Sequence, residues 1–151
     1  MGAEPYWYYV PYEASADQAL SKLRQREFEA GRYFPAMEYE ELVDLFPTSS
    51  QSPAPGPQHS TIDEAIADAA ESGTLSILDL DRISDVRDYG AVSKLPDKVV
   101  ESYYGTTHPT RAMVEENQDY FDDLDRGQGL YIILYKGQQP SEILFAGYSY
   151  D

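Results

Sequence analysis

Leu130–Tyr148 reads LYIILYKGQQPSEILFAGY: an apolar run over 130–135, a polar stretch over 136–142, and a second apolar run over 143–148. Each run has the length of a strand, and Gly137 and Pro140 supply turn chemistry between them. Near-continuous apolar runs suit strands covered on both faces, or on one face beside an aromatic one. Two such runs joined by a short loop form a hairpin, which pairs antiparallel. The chain therefore reads as α+β rather than doubly wound α/β.

Working outward, Tyr6–Tyr12 (YWYYVPY) is rich in aromatic and β-branched residues, as strands are. Alternation puts Tyr6, Tyr8, Val10 and Tyr12 on one face and Trp7 and Tyr9 on the other. Pro5 and Pro11 cannot donate to a ladder, so this strand belongs at an edge. A helix is expected over Ser15–Ala30, with Ser15 and Gln18 as capping box and Gly31 after its end. Its stripe is Ala16, Ala19, Leu20, Leu23 and Ala30, with Glu27 inside it and Phe28 at its edge.

Residues 33–40 read as extended, with a short helical turn over Glu40–Phe46. PTSSQSPAPGPQHS follows, a Pro/Ser-rich surface loop over 47–60. Thr61–Ser72 is a second helix, capped by Thr61 and Glu64 and closed by Gly73. Leu75–Ile83 (LSILDLDRI) reads as a strand. Asp97–Tyr104 reads as a short helix and Thr110–Asp125 as a longer one. The expectation is a single domain over 1–151: a small antiparallel sheet ending in the C-terminal hairpin, packed by three to four helices.

Asp and Glu number 27 against 11 Lys and Arg, a net charge of −16 and a pI near 4.3. Such a surface repels nucleic acid and anionic bilayers, so direct binding to either is not expected. No stretch has the apolar length of a membrane helix. There is no cysteine, which excludes disulfides, thiolate metal sites and cysteine nucleophiles. The opening MGAEPYWYYV lacks a basic n-region, and Tyr6 stands where a myristoylation motif has Ser or Thr. Neither a leader nor an acyl anchor is expected, and the anticipated compartment is the cytoplasm.

The positives cluster at Lys22, Arg24, Arg26 and Arg32. From Tyr33 to Asp81 there is no Lys or Arg. A second acidic run is Glu115, Glu116, Asp119, Asp122, Asp123 and Asp125. Three roles fit this charge: simple solubility, hydration in a saline cytoplasm, or steering onto a basic partner.

Motifs for chemistry are few. Asp79 and Asp81, two apart on the expected strand, would share a face and offer a weak Mg²⁺ site; their alternative is a solvated strand face or a cap. Glu27, on an apolar stripe, needs a partner such as Arg24 one turn earlier. With Arg24, Arg26, Arg32 and Tyr33 it forms the most chemically mixed segment, a candidate anion pocket or acid–base site. His59 and His108 lack zinc spacing and read as loop residues. Gly127-Gln128-Gly129 precedes a strand, the wrong context for a pyrophosphate loop. Fourteen tyrosines divide between core and recognition.

The leading expectation is a non-enzymatic module that binds a basic protein: an immunity protein, an inhibitor or a nucleic-acid mimic. Its candidate carboxylates are Glu38, Glu40, Glu41, Asp44, Asp119, Asp122 and Asp123. Its candidate rings are Tyr33, Tyr39 and Tyr120, the last also a core candidate. No cofactor is expected. The alternatives are a small enzyme or anion-binding domain built on Arg24, Glu27 and Arg32, and a halophile housekeeping domain.

Overall fold

The computed structural model describes residues 3–150; Met1 and Gly2, on which the reading of an acyl anchor falls, lie outside them. Five strands form one sheet: β1 (Pro5–Pro11), β2 (Arg82–Ile83), β3 (Ala91–Lys94), β4 (Gly129–Lys136) and β5 (Gln139–Tyr148). Their order is β1-β5-β4-β3-β2. β4 and β5 form the hairpin, and β1 pairs antiparallel with the far side of β5. β3 runs parallel to β4, and β2 parallel to β3. The sheet is thus mixed, which corrects the expected small antiparallel sheet while the α+β class stands. The physical reason is the connection after β3. A parallel neighbour needs a long crossover, and the chain makes one through α4 (Asp97–Tyr104) and α5 (Arg111–Glu116) before returning as β4.

The hairpin loop is shorter than 136–142: the ladder continues to Lys136↔Gln139, leaving Gly137 and Gln138 as the turn. Gly137 has φ 66°, at the first turn position, where a II′ turn calls for glycine. Pro140 lies beside the register shift at Leu134/Tyr135, where the ladder is already interrupted.

Both faces of the hairpin are covered, as its apolar runs require. On one face Leu130, Ile132, Leu134, Leu144 and Ala146 join Tyr9, Val100, Val114 and Tyr120. On the other, Ile143 and Phe145 join Tyr6, Tyr8, Val92, Ile77 and Leu80 against Leu20 and Leu23 of α1 (Ala16–Ala30). Tyr6 and Tyr8 fall in one cluster and Trp7 and Tyr9 in the other, as alternation dictates. The outer edge of β1 is screened by residues 46–48, where Thr48 bridges to Tyr8 and Phe46 lies against Trp7 and Tyr8. Covering an edge in this way blocks further strand addition.

Three segments differ from their periodicity. In two of them short polar side chains capture nearby backbone. Leu75–Ile83 is a strand only at its last two residues. Leu75 sits at φ 49°, Ser76 accepts from Leu78 N–H, and Asp79 accepts from Thr74 N–H, so 77–79 form a 3-10 turn. The long helix expected over 110–125 stops at Glu116. Asn117 Oδ1 accepts from Asp119 N–H, its carbonyl is taken by Tyr104 Oη, and Asp119–Asp123 continues as a 3-10 segment. The third is the second expected helix: α3 (Ile62–Ala69) gives way to a 3-10 turn over 70–72. Ser15 and Thr61 cap α1 and α3 as their sequence patterns require. α2 is short, Tyr39–Val43. No helix among the described residues is long and apolar enough to cross a membrane.

Candidate functional site

Glu27 is fully buried and grips two arginines. Arg32 meets it with two bonds, Nε–Oε1 at 2.9 Å and Nη2–Oε2 at 2.8 Å, and Arg26 Nε adds a third at 2.9 Å. The expected partner Arg24 goes elsewhere, donating to the Leu78 carbonyl at 2.8 Å. Fork-to-fork pairing of this kind satisfies a buried carboxylate in place. The arginines then reach on to the Pro/Ser-rich segment: Arg26 Nη2 to Thr48 Oγ1, and Arg32 Nη1 to the carbonyls of Ser52 and Pro53. The group works as a clamp that fastens the loop to α1. A groove of about 300 Å³ nearby is lined by Lys22, Leu23 and Arg26 and does not reach Glu27.

A second clamp holds the end of the loop. Tyr33, fully buried, bonds His59 Nδ1 through its hydroxyl at 2.8 Å, and His59 Nε2 meets Asp68 of α3 at 2.9 Å. A carboxylate only accepts, so Nε2 carries the proton toward Asp68, and in the corresponding neutral tautomer Nδ1 accepts from Tyr33. Tyr33 Oη in turn accepts from Gln58 N–H at 3.1 Å. With its hydroxyl inside, Tyr33 offers no nucleophile to a substrate and no ring to a partner. Tyr33→Phe removes the acceptor of Gln58 N–H among the described residues and the hydroxyl bonded to His59. We expect a loss of about 1–3 kcal/mol, read from urea unfolding; a change under about 0.5 kcal/mol, the scatter of neutral surface substitutions, would show that water replaces the hydroxyl.

Asp79 and Asp81 do not make a pair. Asp79 is 7% exposed and held by Thr74, whereas Asp81 is exposed and bridged to Arg82. Burial pushes the Asp79 carboxyl up to about 6, against the pull of its bonds from Thr74 and the charge of Arg24. No group of three or more metal-ligating side chains occurs among the described residues.

The acidic candidates lie differently. Glu38, Glu40, Glu41 and Asp44 lie on and around α2, and Asp119 and Asp122 on the 3-10 segment; all six are exposed. Among the described residues no ion pair reaches any of these six. Four exposed cations pair with other carboxylates: Lys22 with Glu13, Arg82 with Asp81 and Asp88, Lys94 with Asp97, and Arg111 with Glu115 and Glu142. Asp123 is half-buried and accepts from Tyr103 Oη at 2.6 Å, which helps push that phenol up to about 12. Tyr39 stacks on Phe34 at 4.5 Å and donates to the carbonyls of Ser72 and Gly73. Tyr120 is core.

Two residues that the sequence reading did not count among the site candidates, Phe46 and Phe121, join the acidic runs. Phe46, just after Asp44, lies 6.2 Å from Trp7, ring centre to ring centre, and Trp7 lies 5.9 Å from Phe121. Phe121 immediately precedes Asp122 and lies 5.4 Å from Tyr148. The two segments, distant in sequence, therefore meet across the edge strand β1 along a line of rings. Period-2 alternation did place Trp7 opposite Tyr6 and Tyr8; nothing local signalled that Phe46 and Phe121 would flank it. No protein-family model, no curated protein and no solved structure matches the chain.

Proposed function

We propose that the chain is a non-enzymatic binding module, an immunity protein, inhibitor or nucleic-acid mimic that occludes a basic partner with the acidic face at the β1 edge. What supports the reading is the junction of two acidic segments: Glu38, Glu40, Glu41 and Asp44 around α2 and Asp119 and Asp122 on the 119–123 segment are exposed and make no ion pair among the described residues, and Phe46, Trp7 and Phe121 join the two segments across β1. The unpaired charge would raise the encounter rate, and the ring-lined strip between would slow dissociation.

The test is a pull-down with the tagged chain, native and with Glu40→Lys, Glu41→Lys and Asp44→Lys together. The native chain is expected to retain one stoichiometric basic protein at low salt and release it at high salt. The reversed chain is expected to lose it, with association slowed at least about tenfold. Retention that ignores both salt and charge reversal would sink the reading.

A further inference from the structure

Tyr150, just past β5, lies in a slot whose walls are glycines. A Cβ on Gly73 would fall 2.5 Å from its ring, and one on Gly127 would fall 2.7 Å from it, so neither position admits a side chain while the ring is in place. The two glycines come from different connections of the fold, and each holds φ 74°. Tyr89, an exposed side chain, closes the slot from outside, its ring centre 4.8 Å from that of Tyr150. At the inner end the Tyr150 hydroxyl donates to the Asp79 carbonyl at 3.2 Å. Burial above all, and then the charge of Asp79, push this phenol up to about 12, so it is held as a neutral donor. Two further polar groups lie near. Asp79 Oδ2 stands 2.8 Å from where the Gly73 Cβ would be. Tyr6 Oη, on a fully buried side chain, has no hydrogen-bond partner among the described residues and feels the charges of Asp79 and Tyr150. A buried hydroxyl without a partner is rare in a core that serves only packing.

The slot thus holds a phenol that the chain itself supplies. That ring is only half-buried, and it can leave without unzipping the sheet. The backbone before it is pinned at Ser149, which accepts from Glu4 N–H at 2.9 Å and donates to the Glu4 carbonyl at 3.0 Å. Rotation about the Cα–Cβ bond of Tyr150 is enough. We propose that the slot between Gly73, Gly127 and Tyr89 is a binding site for a neutral phenol ring from outside the chain, with Tyr150 as its displaceable plug. The site uses none of the acidic-face residues and stands apart from that reading.

The experiment titrates the native chain and Tyr150→Ala with p-cresol, by calorimetry and by the rise in melting temperature. The variant is expected to bind, and the native chain to bind the same ring saturably but at least about tenfold more weakly, because an open state held at about a tenth or less divides the affinity by that fraction. The methyl ether of p-cresol, which has no donor for the Asp79 carbonyl, is expected to bind the variant about fivefold more weakly. Tyr89→Ala, added at an exposed position, is expected to weaken p-cresol about threefold or more. Should Tyr150→Ala fail to fold, Tyr150→Phe replaces it; this plug lacks the hydroxyl and is expected to yield to p-cresol about fivefold more readily than the native one. Acetyl-tyrosine methylamide, run beside p-cresol, tells a tyrosine within a chain from a free small phenol by which of the two binds more tightly. Equal affinity for the native chain and the variants, or indifference to Tyr89→Ala, places the binding elsewhere and overturns the site. Absence of saturable binding to the native chain shows Tyr150 to be a fixed part of the core, and the proposal falls.

Discussion

Glu27→Gln should be the most damaging conservative change in the chain, costing about 3–5 kcal/mol. The amide keeps the shape of the carboxylate and removes its charge. Arg32, only 4% exposed, then remains inside without a counter-ion, and Arg26 loses its nearest anion. For a domain whose whole stability is about 5–15 kcal/mol, this is about a fifth of the total or more. The melting temperature should fall by roughly 10 °C or more. The clamp also ties α1 to the loop through Thr48, Ser52 and Pro53, so the 47–60 segment should become sensitive to protease first. Replacing both charges, Glu27→Leu with Arg32→Met, should recover most of the loss, because the ion pair is then removed whole rather than broken. Urea unfolding of the native chain and the two variants decides the matter. A cost below about 1 kcal/mol for Glu27→Gln would mean that water screens the pair and that the clamp contributes little.

The same residue shows what the sequence could and could not yield. A carboxylate on an apolar helical stripe had to be paired, and it is. The partner was not legible, because Arg32 approaches only after Gly31, at φ 78°, turns the chain back on the helix end. Local signals held where local physics decides: the caps of α1 and α3, the two faces of β1, and the hairpin with both faces covered. They failed where backbone is captured by a side chain, as at Thr74–Asp79 and Asn117, since periodicity counts apolar positions and not hydrogen bonds. Strand β3, Ala91–Lys94, is too short to show a period, and missing it concealed the parallel half of the sheet. The acidic runs were visible as composition. Their meeting at Trp7 is a tertiary fact, set by Phe46 closing the edge of β1.

Asp79 should make the fold less stable as pH rises through the weakly acidic range, opposite to the usual behaviour of a paired carboxylate. Its carboxyl is raised from the ordinary 3.8 to about 6, chiefly by burial. The folded state therefore holds the proton more tightly than the unfolded chain does. The associated stability is fully present below pH 3.8 and is lost as pH rises through about 6. The complete span corresponds to about 3 kcal/mol, of which roughly 1.4 kcal/mol falls between about pH 5 and 7.5, where other carboxylates are already ionised. Self-repulsion of a chain at −16 adds a slope of its own, so the measurement is a difference. Asp79→Asn mimics the protonated form. Its carbonyl can accept from Thr74 N–H, and its amide can donate to Thr74 Oγ1, which then turns its proton toward Ser76 Oγ at 2.8 Å. Relative to this variant, the native chain should lose about 1.4 kcal/mol, or roughly 3–6 °C in melting temperature, between about pH 5 and 7.5. Tyr150 packs over the same spot, donating to the Asp79 carbonyl and lying against Gly73 and Gly127. Ionisation of Asp79 is thus expected to loosen the end of the chain before the sheet, with earlier amide exchange at Ser149 and Tyr150 at about pH 7.5 than at about pH 5 once intrinsic rates are corrected. Parallel stability curves for the native chain and the Asp79→Asn variant across that window would show that the carboxyl titrates as an ordinary solvated acid, and the buried-proton account would fail.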